Sequence, residues 1–163
     1  MAHDTLAALA VLTGARLKAR GLKLVTAESC TGGWVAEVVT SVSGSSGWFE
    51  RGFVTYSNEA KEELLGVRAE TIAQHGAVSE ETAREMAAGA LEHSRAQIAV
   101  AITGVAGPTG GTKQKPVGMV CLAWARRGGE VQSVTRQFAG DRESVRRQSV
   151  ITALQGLIER LEA

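Results

Sequence analysis

The chain has 163 residues, of which 44% are hydrophobic and 21% are charged. That length suits one domain over residues 1–163 that buries its core without disulfides or metal ions. The composition is typical of a globular protein rather than a disordered one. A formal net charge of +1 argues against a general role on nucleic acid or on a membrane surface, because both need a concentrated basic field.

The two cysteines, Cys30 and Cys121, lie in no C-x-x-C or Cys/His cluster. We therefore expect a reducing compartment, the cytoplasm, and no bound metal. The N-terminal apolar run follows Asp4 and precedes several basic residues. It lacks the basic start of a signal peptide and is too short to cross a bilayer, so we expect no membrane partner.

The first half of the chain alternates helix-forming and strand-forming patterns. In chain order these predict an amphipathic helix ending at Gly21, a strand over 23–29, a helix over 32–42, a turn over 43–47, a strand over 48–56, and a short helix capped by Ser57 or Asn58. The first helix has apolar residues near helical spacing at Leu6, Leu9, Ala10 and Leu17.

The second half begins with the clearest helical pattern, over Ser79–Ser94, whose apolar stripe is Ala83, Met86, Ala87, Ala90 and Leu91. The continuous apolar run Gln97–Gly104 predicts a strand buried on both faces. A hairpin over 118–140 turns at Gly128-Gly129, and a last helix over 141–161 carries one face of Val145, Ser149, Ala153, Leu157 and Leu161. Together the elements predict an α/β fold: a single three-layer α/β/α domain with a mixed sheet covered by helices.

The segment TAESCTGG (residues 26–33) is a strand end followed at once by Gly-Gly and a helix. Ligand sites of α/β sheets lie at the carboxyl ends of strands, so Ser29 is a candidate nucleophile. Backbone N–H groups of Cys30 to Gly33 are expected to be free to hold an oxyanion or a phosphate. The local pattern equally permits Ser29 or Thr31 to be only a helix cap.

A second candidate is Lys61 in YSNEAKEELLG, which shares a predicted helix face with Leu64 and Leu65. An inward lysine is desolvated, and the lowered pKa would suit it as a general base for a serine hydroxyl. Taken by itself, the pattern also fits a lysine that covers apolar surface with its stem and keeps its ammonium in water. Tyr56, just before this helix, is either a functional partner or an ordinary strand aromatic.

The loop GVAGPTGGTKQKPVG (residues 104–118) is rich in glycine and basic residues, which favours anion binding over a plain surface crossover. It is not a Walker A loop. Arg142 and Arg146 open the last helix, where cations oppose the helix dipole, so either a bound anion or a solvated face accounts for them. Cys30 is a rival nucleophile, since a helix N-terminus lowers a thiol pKa.

Five blocks, TAESCTGG, GWFERGFVTYSNEAKEELLGV, HGAVSEETAREMAAGA, AITGVAGPTGGT and KPVG, cover nearly the whole chain. In this order they resemble the CinA C-terminal domain family, which includes stand-alone nicotinamide-nucleotide amidohydrolases. The resemblance implies hydrolysis of the carboxamide of nicotinamide mononucleotide (NMN) to nicotinate mononucleotide and ammonia, in pyridine-nucleotide salvage, with no metal or other cofactor.

The same resemblance implies a Ser–Lys mechanism, with Ser29 as nucleophile, Lys61 as base and Tyr56 beside them. The small-molecule nucleotide is expected to contact Cys30, Thr31, Gly32, Gly33, Asn58, Thr103, Gly104, Gly107, Gly111 and Thr112, with Arg142 or Arg146 at its phosphate. Two alternatives stay open: an amidase for another nucleotide-like amide, and a non-catalytic module for nucleotide binding or oligomerisation. A homo-oligomer also stays open, since Trp34, Trp48 and Phe49 either leave apolar surface uncovered or belong to the core.

Overall fold

A computed structural model describes the backbone of residues 2–162 and the side chains of residues 5–162. The helices are α1 Ala2–Arg20, α2 Trp34–Thr40, α3 Asn58–Leu65, α4 Ala69–His75, α5 Glu80–Glu92 and α6 Arg142–Glu162. The strands are β1 Leu24–Glu28, β2 Phe49–Val54, β3 Ile98–Gly104, β4 Met119–Arg126 and β5 Val131–Gln137. Over this part of the chain, no helix has the length and apolarity needed to cross a membrane.

The five strands form one mixed sheet in the order β2-β1-β3-β4-β5. Strands β2, β1 and β3 are parallel, and β4 and β5 follow as an antiparallel hairpin. The middle strand β3 is buried on both faces except at its last residue, as its continuous apolar run predicts. The predicted mixed sheet is therefore confirmed.

Helices cover both faces of the sheet and give the predicted three layers. On one face α1, α2 and α6 pack against the sheet, and their buried side chains include Leu17, Val39 and Leu154. On the other face α3 and α5 do the same, with Leu65 and Met86 in the core. The buried stripes predicted for α5 and α6 are confirmed. On α5 the residues are Ala83, Met86, Ala87, Ala90 and Leu91, and on α6 they are Val145, Ser149, Ala153, Leu157 and Leu161.

Trp34, Trp48 and Phe49 were the residues that kept a homo-oligomer open as an alternative. All three belong to the core between the sheet and helices α1, α2 and α6. Trp48 is buried under α1, so closely that a Cβ at Gly14 would clash with its ring. Trp34 and Phe49 are partly buried and pack against the same cluster. These residues therefore give no argument for a homo-oligomer.

Two local predictions are wrong, and one helix was not predicted. The second strand ends at Val54, so Tyr56 lies in the following loop rather than in the strand. Residues 69–75 form α4, a short helix without a side-chain N-cap that is tied to α5 by hydrogen bonds to Glu85. Leu64 is 46% exposed instead of facing inward with Lys61, because Lys61 and Leu65 form the buried face of α3.

The parallel strands place a crevice at their carboxyl edge. After β1 the chain passes to α2 on one face of the sheet, and after β2 it passes to α3 on the opposite face. Neighbouring strands whose connections diverge in this way leave an opening between their carboxyl ends, where α/β proteins bind ligands. Ser29 follows β1 and Tyr56 follows β2, so both border this opening.

Candidate active site

Ser29 sits on a tight turn between β1 and α2. Its N–H donates to the carbonyl of Ile102 on β3 (3.0 Å), and its carbonyl accepts from the N–H of Gly32 (3.0 Å). Gly32 and Gly33 have φ angles of +60° and +104°, in the left-handed region that residues other than glycine rarely adopt. The pair of glycines therefore permits the turn that presents the serine. The N–H of Gly32 is used inside this turn and is not free for a ligand, contrary to the prediction.

A buried carboxylate, to which the sequence assigned no role, holds the start of α2. Glu28 accepts hydrogen bonds from the hydroxyl of Thr31 (2.6 Å) and from the N–H groups of Val35 (2.9 Å) and Ala36 (3.1 Å). The N-cap residue Gly33 has no side chain to do this. Glu28 therefore takes over the capping of the helix. The sequence signal was a helix whose cap is a glycine, preceded by an acidic residue at the strand end.

Lys61 reaches Ser29 inside the crevice. Its Nζ lies 3.0 Å from the Oγ of Ser29, 2.8 Å from the carbonyl oxygen of Thr55 and 3.4 Å from that of Tyr56. The side chain is 1% exposed, and burial lowers the pKa of the Lys61 ammonium from its ordinary 10.5. No carboxylate is hydrogen-bonded to Nζ within the described residues to offset that effect.

These three contacts suit both protonation states of Lys61. An ammonium carries three hydrogens and can donate to all three oxygens, whereas a neutral amine carries two hydrogens and one lone pair. When the neutral amine donates to the carbonyls of Thr55 and Tyr56, its lone pair is left for the hydroxyl of Ser29. The arrangement can accept the serine proton without moving a side chain.

The pair opens into a pocket of about 180 Å³. Its lining residues are Ser29, Cys30, Tyr56, Asn58, Lys61, Ala77, Val78, Thr103, Gly104, Ala106 and Arg142. All but Ala77, Val78 and Ala106 are candidates from the sequence. Ala77 and Val78 belong to the α4–α5 connection. A hydrogen bond from the hydroxyl of Thr103 to the carbonyl of Ala77 (2.8 Å) holds this connection at the pocket.

Several other candidates lie away from this lining. Thr31 is buried and bonded to Glu28, and Gly33 is the N-cap of α2. Gly107 contributes its carbonyl to Arg142 from behind the rim. Gly111 and Thr112 are exposed, and Thr112 closes a turn with Lys115 inside the glycine-rich loop. That loop reaches the site through Lys115, whose Nζ donates to the carbonyls of His75 and Val78.

The two arginines predicted as phosphate partners have different surroundings. Arg142 lies at the rim of the pocket and donates to the carbonyl of Gly107 (2.8 Å) and to the hydroxyl of Tyr56 (3.3 Å). Arg146 lies one turn further along α6 and donates to the carbonyls of Cys30 (3.0 Å) and Thr31 (3.1 Å). Only Arg142 lines the pocket.

Cys30 does not have the properties of a nucleophile. Burial raises the pKa of its thiol to about 12, because the loss of water around a thiolate outweighs the favourable charge of Arg146. The predicted lowering by the helix N-terminus is therefore wrong. Among the described residues, no three His, Cys, Asp or Glu side chains are grouped so as to hold a metal ion.

Fold and site together define an α/β protein with a buried serine–lysine pair between the carboxyl ends of two parallel strands. The chain belongs to the CinA C-terminal domain family, whose model matches residues 6–161. It is 58% identical over 159 residues to nicotinamide-nucleotide amidohydrolase PncC of Escherichia coli strain K12, covering 96% of this chain and 95% of the relative. The PncC of Pseudomonas putida is 53% identical over 156 residues, covering 96% and 97%.

A solved structure has the same fold. The competence/damage inducible protein CihA from Agrobacterium tumefaciens superposes with a TM-score of 0.94 and is 46% identical, covering 98% of this chain and 96% of that one. The similarity therefore extends over nearly the whole of both molecules.

Proposed function

We propose that this protein hydrolyses the carboxamide of NMN to nicotinate mononucleotide and ammonia, with Ser29 as nucleophile and Lys61 as its base. The observation that carries the mechanism is the 3.0 Å contact between a buried lysine Nζ and the serine Oγ. The substrate is supported by the name of the relatives, nicotinamide-nucleotide amidohydrolase, at 58% and 53% identity. Those relatives match this chain over nearly their full length.

In the first half of the reaction, neutral Lys61 takes the hydroxyl proton of Ser29, and the oxygen attacks the carboxamide carbon. The resulting tetrahedral intermediate carries one negative oxygen. As it collapses, the C–N bond breaks, and the Lys61 ammonium returns its proton to the leaving nitrogen. Ammonia departs, and the nicotinoyl group is left as an ester on Ser29.

In the second half, water attacks this ester and gives a proton to Lys61. The C–O bond to Ser29 breaks, the serine recovers its proton, and nicotinate mononucleotide leaves. We assign the oxyanion in both halves to the backbone N–H groups of Cys30 and Thr31, since neither donates to the backbone of another residue within the described part of the chain. Lys61 thus serves as base and acid in turn.

The size of the pocket indicates which part of the substrate enters it. Sites for whole ligands of drug size hold about 300 to 1,000 Å³, whereas this pocket holds about 180 Å³. It suits the nicotinamide ring and its carboxamide. Two further depressions meet the pocket at Arg142, one lined also by Trp34 and Arg146 and one lined also by Pro108. We place the ribose and phosphate there, with Arg142 as the phosphate partner.

The proposal includes a place for the activity, pyridine-nucleotide salvage in the cytoplasm. Both cysteines, Cys30 and Cys121, are buried free thiols, which suits a reducing compartment.

The test is release of ammonia and nicotinate mononucleotide from NMN by the purified protein, with Ser29→Ala as the matched control. Turnover by the wild type and its loss in the variant are expected. Binding of NMN without ammonia release from neutral to alkaline pH would instead make this chain a nucleotide-binding module. Faster release from another nucleotide-like amide would keep the chemistry and change the substrate.

A further inference from the structure

Arg146 makes two directed contacts to the turn that carries the nucleophile. Its Nε donates to the carbonyl of Cys30 at 3.0 Å, and its Nη2 donates to the carbonyl of Thr31 at 3.1 Å. The guanidinium also lies over the ring of Trp34, 5.5 Å from the ring centroid. The forked geometry of arginine suits two fixed acceptors on neighbouring peptides.

We propose that Arg146 is a positioning residue for the oxyanion donors rather than a ligand of the substrate phosphate. This inference rests on the proposed function. A trans peptide is planar, so its C=O and N–H point in opposite directions. The carbonyl of Cys30 and the N–H of Thr31 belong to one peptide. By holding that carbonyl on the α6 side, Arg146 directs the N–H of Thr31 away from α6.

The opposite end of the turn is held by Glu28. Its carboxylate binds the hydroxyl of Thr31 and the first N–H groups of α2, at Val35 and Ala36. The carbonyl of Ser29 is occupied by the N–H of Gly32. Glu28 thus binds hydrogen-bond donors of the turn and of the start of α2, and Arg146 binds two carbonyl acceptors of the turn. Such preorganisation is what makes an oxyanion site effective, because no group must reorient as charge develops.

The comparison with Arg142 supports this role. Both arginines lie on the first turns of α6, and both oppose its dipole. Arg142 lines the pocket, and its guanidinium donates to the hydroxyl of Tyr56 and to the carbonyl of Gly107. Arg146 lies outside the lining of that pocket and borders only the depression beside Trp34, and two of its three nitrogens are already engaged by the turn.

The test is steady-state kinetics of Arg146→Gln with NMN and with its phosphate-free counterpart, nicotinamide riboside. A positioning residue acts only as the oxyanion forms, so kcat should fall by about 10²-fold while KM for NMN stays within about threefold. The same fold-loss in kcat/KM is expected with the riboside. Arg136→Gln, an exposed position on β5 outside the site, is the matched control and should behave as the wild type.

A phosphate ligand gives a different pattern. A raised KM for NMN with unchanged kcat, or a loss seen with NMN and absent with the riboside, would overturn the proposal. Whether the variant changes kcat or KM with NMN is enough to distinguish a positioning residue from a phosphate ligand. The riboside gives a second, independent comparison. Failure of the wild type to release ammonia from NMN would be a failure of the proposed function instead.

A second variant guards against a folding defect. Arg146→Lys keeps the stem and the positive charge but lacks the fork that spans two carbonyls. We expect a loss in kcat between those of the wild type and Arg146→Gln, with the thermal unfolding midpoint and circular dichroism spectrum of the wild type. Full kcat in Arg146→Lys with a wild-type fold would contradict the need for two directed hydrogen bonds.

Discussion

The floor and the rim of the pocket are built differently. On the floor, Ser29 is 8% exposed and Lys61 is 1% exposed, and each makes several hydrogen bonds to backbone groups at strand ends. On the rim, the Tyr56 side chain is 63% exposed and meets Arg142 through one contact of 3.3 Å. The groups of the floor are therefore held by hydrogen bonds and shielded from water, whereas the groups of the rim are exposed to water.

This difference separates chemistry from binding. A desolvated lysine is a base near neutral pH only because the fold removes water from it, and an oxyanion site works only where its donors are fixed. A phosphate, by contrast, can be bound by an exposed guanidinium through charge-assisted hydrogen bonds. We therefore expect substitutions on the floor to change kcat and those on the rim to change KM.

Loss of the nucleophile should have the largest effect. Ser29→Ala is expected to lower kcat by about 10⁵-fold or more, since the members of a nucleophile–base unit act together. Cys30→Ala should lose far less, because it keeps the backbone N–H and removes only a thiol whose pKa burial raises to about 12. Ammonia release from NMN by both variants measures this. A larger loss in Cys30→Ala would make Cys30 the nucleophile.

Loss of the base comes next. Lys61→Arg should lower kcat by about 10³- to 10⁴-fold, because a guanidinium keeps its proton at the pH of the assay. In the wild type, kcat/KM should rise with pH as the Lys61 ammonium loses its proton, and burial lowers that pKa below the ordinary 10.5. The profile is measured by ammonia release at saturating and limiting NMN. Near-normal turnover by Lys61→Arg would remove Lys61 from the mechanism.

A smaller effect, and one in KM, is expected at the rim. Arg142→Gln should raise KM for NMN by about 10- to 100-fold, the size of a lost hydrogen bond to a charged group, with little change in kcat. Initial rates over a range of NMN concentrations test it, with Arg136→Gln as the control. If kcat falls and KM does not, the floor and rim are not separate in this way.

The smallest effect is expected at Tyr56. Its hydroxyl accepts from Arg142 at 3.3 Å, and its contact with Lys61 is made by the backbone carbonyl. Tyr56→Phe keeps that carbonyl, so we expect a change in kcat/KM by about threefold or less, as for one exposed hydrogen bond. If turnover of NMN instead drops by about 10²-fold, the phenol has a direct part in the chemistry, as a lost oxyanion donor would.

Periodicity predicted the elements that bury a regular face. The stripes of α5 and α6 and the buried run of β3 were predicted from the sequence because their spacing repeats over several turns or residues. Helix α4 has seven residues and no side-chain cap, and Glu85 on another helix accepts hydrogen bonds from the N–H of Arg68 and the hydroxyl of Thr71 at its start. No local signal marks such an element, because its partners are distant in sequence.

The site was predicted in the same uneven way. The position of a strand end made Ser29 a candidate nucleophile, but the local pattern left it undecided between a nucleophile and a helix cap. The local pattern likewise left Lys61 undecided between a base and a surface residue. Leu64 was wrongly placed beside Lys61 because helical spacing does not fix which way a short helix faces. The different surroundings of Arg142 and Arg146 depend on how α6 lies against the turn after β1, and only the packed structure gives that.

The central claim is that burial keeps Lys61 available as a neutral base beside Ser29. A pH titration of the lysine side-chain nitrogens by ¹⁵N NMR tests it directly, with the Lys61 signal assigned by its absence in Lys61→Arg. The account predicts that the pKa of Lys61 lies below the ordinary 10.5 and coincides with the rising limb of kcat/KM. A Lys61 pKa at or above 10.5 in the folded enzyme would contradict it.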